Sequence, residues 1–139
     1  MKTEQIFFHQ LIMLYRPFEH RLNEILNENN LYRAQWTILF YLYHHGPATS
    51  VMIAQYLSVE KPTVARTFKG LTVEGYVQPI VGKDRREKLM QLTDLGKETY
   101  ENVRISMDEF EQSILGDIAT TELETMINTM KKIRKNIIK

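Results

Sequence analysis

Apolar residues recur along most of this chain at helical spacing, interrupted once by a stretch that reads as strand. Phe7, Leu11, Leu14, Phe18, Leu22 and Ile25 are separated alternately by four and three positions. That is one stripe of a helix over residues 4–28, widened by Ile6, Tyr15 and Leu26. Pro17 removes a backbone bond and crowds the turn before it, so the pattern predicts a kink near residues 13–17 in a single helix. The polar run Asn27–Asn30 ends it. A second helix is predicted over 33–44, with Trp36, Leu39, Phe40 and Tyr43 on one face and Gly46-Pro47 as its stop. Thr49 is placed to cap a short third helix, 50–57, offering Val51, Ile53, Ala54 and Leu57 for burial.

After the brief break Ser58–Glu60, a fourth helix carries Pro62 in its first turn, where a missing N–H loses nothing, and stops at Gly75. Val64, Phe68 and Leu71 form its apolar face; Thr63, Arg66 and Lys69 lie opposite. Tyr76–Val81 and Lys88–Leu92 read as two strands around a turn at Gly82-Lys83-Asp84-Arg85, and Pro79 marks the first as an edge. Thr93 or Asp94 caps a fifth helix to about Leu115, with Tyr100, Val103, Met107, Phe110 and Ile114 on its stripe. Thr121 and Glu124 have capping-box spacing before a sixth, whose stripe is Leu123, Met126, Met130, Ile133 and Ile137.

The predicted class is therefore mainly α: six helices plus a β-hairpin. Two helices joined by a short turn, the second basic and hydroxyl-bearing on its outer face, make a helix-turn-helix. The hairpin after it reads as a wing. A net charge of +1 conceals an uneven distribution. Ser58–Lys88 holds seven basic and four acidic residues, a net of +3, and the tail Lys131–Lys139 holds five basic residues and no acidic one. The rest of the chain is at −7. Positive charge concentrated on an acidic scaffold suits a local polyanion contact.

The residue types of the fourth helix fit a DNA groove. Lys61, Pro62, Thr63, Ala65, Arg66 and Lys69 are slim, hydrogen-bonding or cationic. Arginine can bind guanine O6 and N7 together, and threonine can meet a thymine methyl or a phosphate. The hairpin tip concentrates Lys83, Asp84, Arg85 and Arg86, and an arginine on a narrow projection fits the minor groove. Asp84 is placed to orient the Arg86 guanidinium. Each pattern has an ordinary counterpart, a solvated helix face and a surface ion pair.

Asp84-Arg85-Arg86, then Leu92-Thr93, then Gly96 resembles the D-x-R…L-T-x-x-G signature of the MarR family of bacterial transcription regulators. Leu31–Pro47 is similar to that family's second helix, and Ala54–Gly75 to its helix-turn-helix. Tyr32 departs from the pattern, since a polar cap is common there. The resemblance covers essentially the whole chain, 1–139. It implies a winged-helix portion at 31–93 and dimerisation helices at 4–28 and 94–139. It further implies a homodimer on a pseudo-palindromic operator, the fourth helix in the major groove and Arg86 in the minor groove. A small aromatic or phenolic effector is also implied, and Tyr15, Arg16, Trp36 and Phe40 are the candidates to line its site.

Other chemistry finds little footing. No cysteine is present, which removes disulfides, thiolate zinc sites and cysteine redox switching. His9, His20, His44 and His45 show no paired ligand spacing, so no metal or other cofactor is expected. No phosphate loop, nucleophile elbow or triad arrangement suggests an enzyme. The N-terminus lacks a signal-peptide pattern and no run is long enough to span a membrane, so a cytoplasmic protein is expected. The reading is a homodimeric repressor released by a ligand; the alternative is a winged-helix protein-interaction module without specific DNA binding.

Overall fold

The computed structural model describes residues 1–81 and 88–138, the side chain of Val81 excepted. Six helices and one hairpin follow in the order α1 (Thr3–Glu28), α2 (Arg33–His45), α3 (Ser50–Leu57), α4 (Lys61–Val73), β1 (Val77–Val81), β2 (Lys88–Leu92), α5 (Asp94–Leu115) and α6 (Thr120–Ile137). α1 runs through Pro17 as one helix. The chain divides into two compact units, Met1–Met107 and Asp108–Lys139, and α5 contributes residues to both.

Three helices of the first unit end in the same way. At α1 the N–H of Leu31 reaches the carbonyl of Leu26 (2.9 Å) and that of Asn30 reaches Asn27 (3.1 Å). At α3 Val59 bonds Ala54 (3.0 Å) and Ser58 bonds Gln55 (3.3 Å). At α4 Tyr76 bonds Leu71 (2.9 Å) and Gly75 bonds Thr72 (3.0 Å). Each is the paired closure of a Schellman turn, which needs a left-handed residue just past the helix. Those residues are Asn30 (φ 60°), Ser58 (φ 57°) and Gly75 (φ 81°). The helix-turn-helix corner thus rests on a serine where glycine is the cheapest residue.

Helix starts are more varied. Thr49 Oγ1 accepts the Met52 N–H (3.2 Å), the cap expected for α3. Tyr32 starts α2 without a capping side chain; its N–H instead donates to Gln35 Oε1 (3.1 Å), so the buried Gln35 supplies the polar group. α6 corrects an expectation. It begins at Thr120 after an extended Ala119, and no side chain caps it. Thr121 falls inside the first turn, where its carbonyl accepts the Thr125 hydroxyl (3.0 Å).

The sheet is antiparallel, pairing Val77 with Leu92 through Val81 with Lys88. A third segment was not expected: Ala48 forms an isolated bridge with Met90, N–H to carbonyl in both directions (3.1 and 2.9 Å). Met90 thereby spends its backbone groups on Ala48, so Pro79 opposite it sits at a pair without mutual hydrogen bonds. β1 is the outer strand, and the N–H that Pro79 lacks would have pointed away from the ladder.

The root of the hairpin is closed by Thr93. Its N–H donates to the Tyr76 carbonyl (3.0 Å), its hydroxyl donates to the Gly75 carbonyl (2.6 Å) and accepts the Gly96 N–H (3.0 Å). One side chain therefore caps α5 and holds the turn that ends α4. Gly96 lies directly on the Tyr76 carbonyl: a Cβ there would overlap that oxygen and approach Leu92 Cδ2 to 3.3 Å.

The first unit's core draws Leu26, Leu31, Ile38, Leu39, Ile53, Val64, Phe68, Leu71, Val77, Leu92, Tyr100, Val103 and Met107 from all its elements. α2 touches α1, α4 and β2, so it buries Gln35, Ile38 and Leu42 besides the expected Trp36 and Leu39. Phe40 and Tyr43 share with Trp36 the face that meets Tyr100 of α5, and both are exposed there. On α1 only Leu22, Ile25 and Leu26 are buried. Phe7, Leu11 and Leu14 of the expected stripe are exposed, together with Ile6, Phe8, Ile12 and Met13 around the rest of the helix. α6 buries nothing among the described residues of its unit.

Two stability outcomes follow from these joints. Gly96→Ala should lower unfolding free energy by about 3 kcal/mol, the upper end for overpacking against a backbone atom that cannot move aside. Urea unfolding at fixed protein concentration measures it, and a loss under about 0.5 kcal/mol would contradict the close packing. Ser58→Gly should instead raise stability by about 0.5–1 kcal/mol, since glycine meets no Cβ penalty at that φ. A melting temperature unchanged or lowered in a thermal scan would count against the strained corner.

Candidate nucleic-acid interface

α4 begins with Lys61 and holds Pro62 in its first turn. Val64, Thr67, Phe68 and Leu71 are buried, and the Thr67 hydroxyl is used on the Thr63 carbonyl (3.0 Å). Burial of that face fixes the opposite one outward. Lys61, Pro62, Thr63, Ala65, Arg66 and Lys69 are all exposed. The side chains that project are short or cationic, so a polyanion can approach the helix closely.

Charge pairing separates this face from the acidic scaffold. Arg33 pairs with Glu19 (3.0 Å), Arg21 reaches Glu24 (3.7 Å) and Glu28 (3.8 Å), and His20 meets Glu24 (3.2 Å). Among the described residues no carboxylate forms such a pair with Lys61, Arg66 or Lys69. Exposed pairs contribute little to stability, so the distinction matters for the field rather than the fold.

Lys83, Asp84, Arg85 and Arg86 lie outside the described residues. The hairpin's root is described, and it brings the first residue of β2 to the edge of the site. Exposed Lys88 of β2 borders a cavity of about 620 Å³ together with Thr49, Ser50, Lys61, Ala65 and Leu89. Lys61 and Lys88 are far apart in sequence, and no periodicity links them. The unexpected Ala48–Met90 bridge is what brings the start of α3 beside β2.

The four candidate effector residues are not gathered in one opening. Trp36 is 8% exposed and stacks on Tyr100 with centroids 4.8 Å apart. Tyr100 is covered on another side by Tyr43 (4.3 Å), and Phe40 approaches its edge (6.4 Å). Tyr15 lies under the Arg33 guanidinium (5.4 Å), and both Tyr15 and Arg16 are exposed on α1. A separate cavity of about 530 Å³ is lined by Tyr43, Pro47, Gln91, Lys97 and Glu101, with none of the four on its wall.

The neighbouring polar contacts serve this aromatic cluster. His44 Nε2 and the Tyr100 hydroxyl are 3.0 Å apart, and the Tyr43 hydroxyl donates to Glu101 (3.2 Å). That hydrogen bond to the carboxylate holds the Tyr43 phenol above its ordinary pKa, helped by slight desolvation and by the negative charge itself. Among the described residues no three of histidine, aspartate and glutamate converge as a metal site would need. None of the described helices is long and apolar enough to cross a membrane.

The architecture has clear counterparts. Residues 29–87 match the model described as MarR family. The chain is 40% identical over 116 residues to the HTH-type transcriptional regulator YwoH of Bacillus subtilis, covering 84% of this chain and 85% of that one. It is 30% identical to Staphylococcus aureus MarR, solved in complex with salicylate and kanamycin, with a TM-score of 0.86 over 97% of this chain and 92% of that one. A mutant MarR of E. coli, solved with operator DNA, is 25% identical with a TM-score of 0.79, over 94% and 95% of the two chains. The Thr93–Gly96 closure, the helix-turn-helix and these relatives together place the chain in the MarR family of HTH-type transcriptional regulators.

Proposed function

We propose that this regulator binds double-stranded DNA as a homodimer, with α4 in the major groove and the Gly82–Lys88 wing in the minor groove. The observation that carries the reading is the exposed outer face of α4, basic and free of described carboxylate partners. Similarity to a regulator solved on operator DNA supports it. In this reading Arg66 and Lys69 reach bases or phosphates, Thr63 and Ala65 allow close approach, and Arg86, oriented by Asp84, enters the minor groove. Lys83 and Arg85 supply phosphate contacts beside it.

The whole of 1–139 then acts as one MarR-type domain, 31–93 reading DNA and 4–28 with 94–139 dimerising. From Ile6 to Tyr15 only His9 and Gln10 are polar, and the apolar residues surround the helix. A helix apolar on every side is a buried helix, and in a single chain this one is exposed. A second copy that encloses it resolves the conflict, and two-fold symmetry places the recognition helices about 34 Å apart on a pseudo-palindromic site. Binding over a promoter makes the protein a repressor. A small aromatic or phenolic acid is the proposed effector, supported by the salicylate complex of the S. aureus relative. Tyr15, Arg16, Trp36 and Phe40 would line its site once the partner's helix covers them.

Selection of bound fragments from the source genome tests the reading directly; recovery of no enriched duplex would favour a protein-interaction module instead. On the recovered site, Arg66→Ala should weaken binding by about 1–3 kcal/mol and relax base preference. Arg86→Ala should weaken it strongly while leaving the dimer intact. Wild-type affinity for either variant in a titration would exclude that contact. Sedimentation should give twice the 16.5 kDa chain mass, and Leu14→Glu should shift it toward the monomer. A dimer indifferent to that change would place the interface elsewhere.

A further inference from the structure

We propose that Lys88 and Lys61, with the Thr49 and Ser50 hydroxyls, form a phosphate-binding cleft that grips the DNA backbone beside the groove read by α4. The inference rests on the DNA-binding reading and assigns it a contact that the recognition helix alone does not provide. The cleft measures about 620 Å³ and is bordered by the start of α3, the start of α4 and the root of β2. Its two charged side chains are both lysines, and no carboxylate among the described residues lines it. Two hydroxyls add donors of the kind that phosphate oxygens accept.

The cleft is built rather than accidental. Ala48 and Met90 exchange two backbone hydrogen bonds (3.1 and 2.9 Å), one residue before Thr49 and two after Lys88. That bridge fixes the α3 start to β2. Thr49 Oγ1 accepts the Met52 N–H (3.2 Å), which orients it and leaves its hydrogen available to a ligand. Across the cleft, Lys61 is the first residue of α4, with Pro62 beside it in the same turn.

Continuity decides the occupant. Lys61 and Ala65 belong both to this cleft and to the exposed face of α4. A duplex lying on that face would therefore carry its sugar–phosphate strand into the cleft, and Ala65 is small enough not to block it. Lys88 also stands at the base of the wing, paired with Val81, so it contacts backbone between the two groove-reading elements. Phosphate contacts of this kind set register and add salt-dependent affinity without reading sequence.

The test compares wild type, Lys88→Gln, Lys88→Arg and Arg66→Ala on the genome-selected duplex and on a random-sequence duplex of equal length, across a salt series. Lys88→Gln should weaken both duplexes by the same factor, about three- to tenfold, and reduce the log–log salt slope by about one unit. Lys88→Arg should retain the wild-type slope. Arg66→Ala should lose discrimination between the two duplexes. Wild-type affinity and slope for Lys88→Gln, with Arg66→Ala impaired, overturns the cleft and leaves the DNA reading standing. A changed sequence preference for Lys88→Gln also overturns it, since that marks a base contact. Failure of the wild type to bind either duplex overturns both, and an acidic protein surface then becomes the occupant.

Discussion

The winged helix hangs on one threonine. Thr93 joins the end of α4, the return strand and the start of α5 through its own N–H and a hydroxyl that both donates and accepts. Without it three helix or strand ends would present unmatched backbone groups at a half-buried corner, each costing about 1–3 kcal/mol to leave unpaired. Gly96 belongs to the same device. Its missing Cβ lets the first turn of α5 lie on the Tyr76 carbonyl, and Leu92 fills the space beside it. A leucine, a threonine and a glycine three residues further on are thus one packing solution, and that accounts for their appearance as a motif. Two α4–wing relationships depend on it: where the recognition helix stops, and where the return strand leaves the sheet.

The sheet adds a second constraint of the same kind. Met90 turns its backbone toward Ala48, so the register of β1 against β2 and the position of the α3 start are set by one residue. Pro79 is compatible only with that arrangement, because a ladder that required its N–H would fail. A proline within a strand therefore identifies which side of it is free, and blocks further pairing along the exposed edge.

Local chemistry made much of this visible in the sequence. The helix stripes, the Thr49 cap, the Gly75 stop, both strands and the L-T-x-x-G return each depend on neighbours within a few residues. Trp36, Phe40 and Tyr43 do share the face that meets Tyr100, but a single stripe cannot represent a helix that also packs on α1, α4 and β2, so the burial of Gln35, Ile38 and Leu42 is not legible from it. The Thr121–Glu124 box differs for another reason: the cap position falls two residues earlier, at Ala119, and spacing alone does not distinguish a cap from a first turn. The pairing of Ala48 with the hairpin and the approach of Lys88 to Lys61 gave no signal, since both depend on a long-range backbone pair. Of the DNA-facing candidates, the α4 residues follow from the buried stripe opposite them, whereas Lys83 to Arg86 rest on the motif and lie outside the described residues.

Electrostatics explains why so modest a net charge suits a DNA-binding protein. A total of +1 predicts little attraction to a polyanion. Screening limits each charge to about 8 Å at physiological salt, so a duplex senses the nearest side chains and not the sum. Pairing matters in the same way. Arg33 and Arg21 are held by glutamates of α1, which confines their fields to the scaffold. Lys61, Arg66, Lys69 and Lys88 are exposed, and none of them forms an ion pair with a carboxylate among the described residues. The acidic remainder then acts against binding through the scaffold, because its carboxylates repel phosphates; the basic stretch Lys131–Lys139 is the exception. Contrast between regions of a surface, rather than net charge, favours one docking orientation, and a uniformly basic chain of the same fold would bind more tightly but with less control over which face it used.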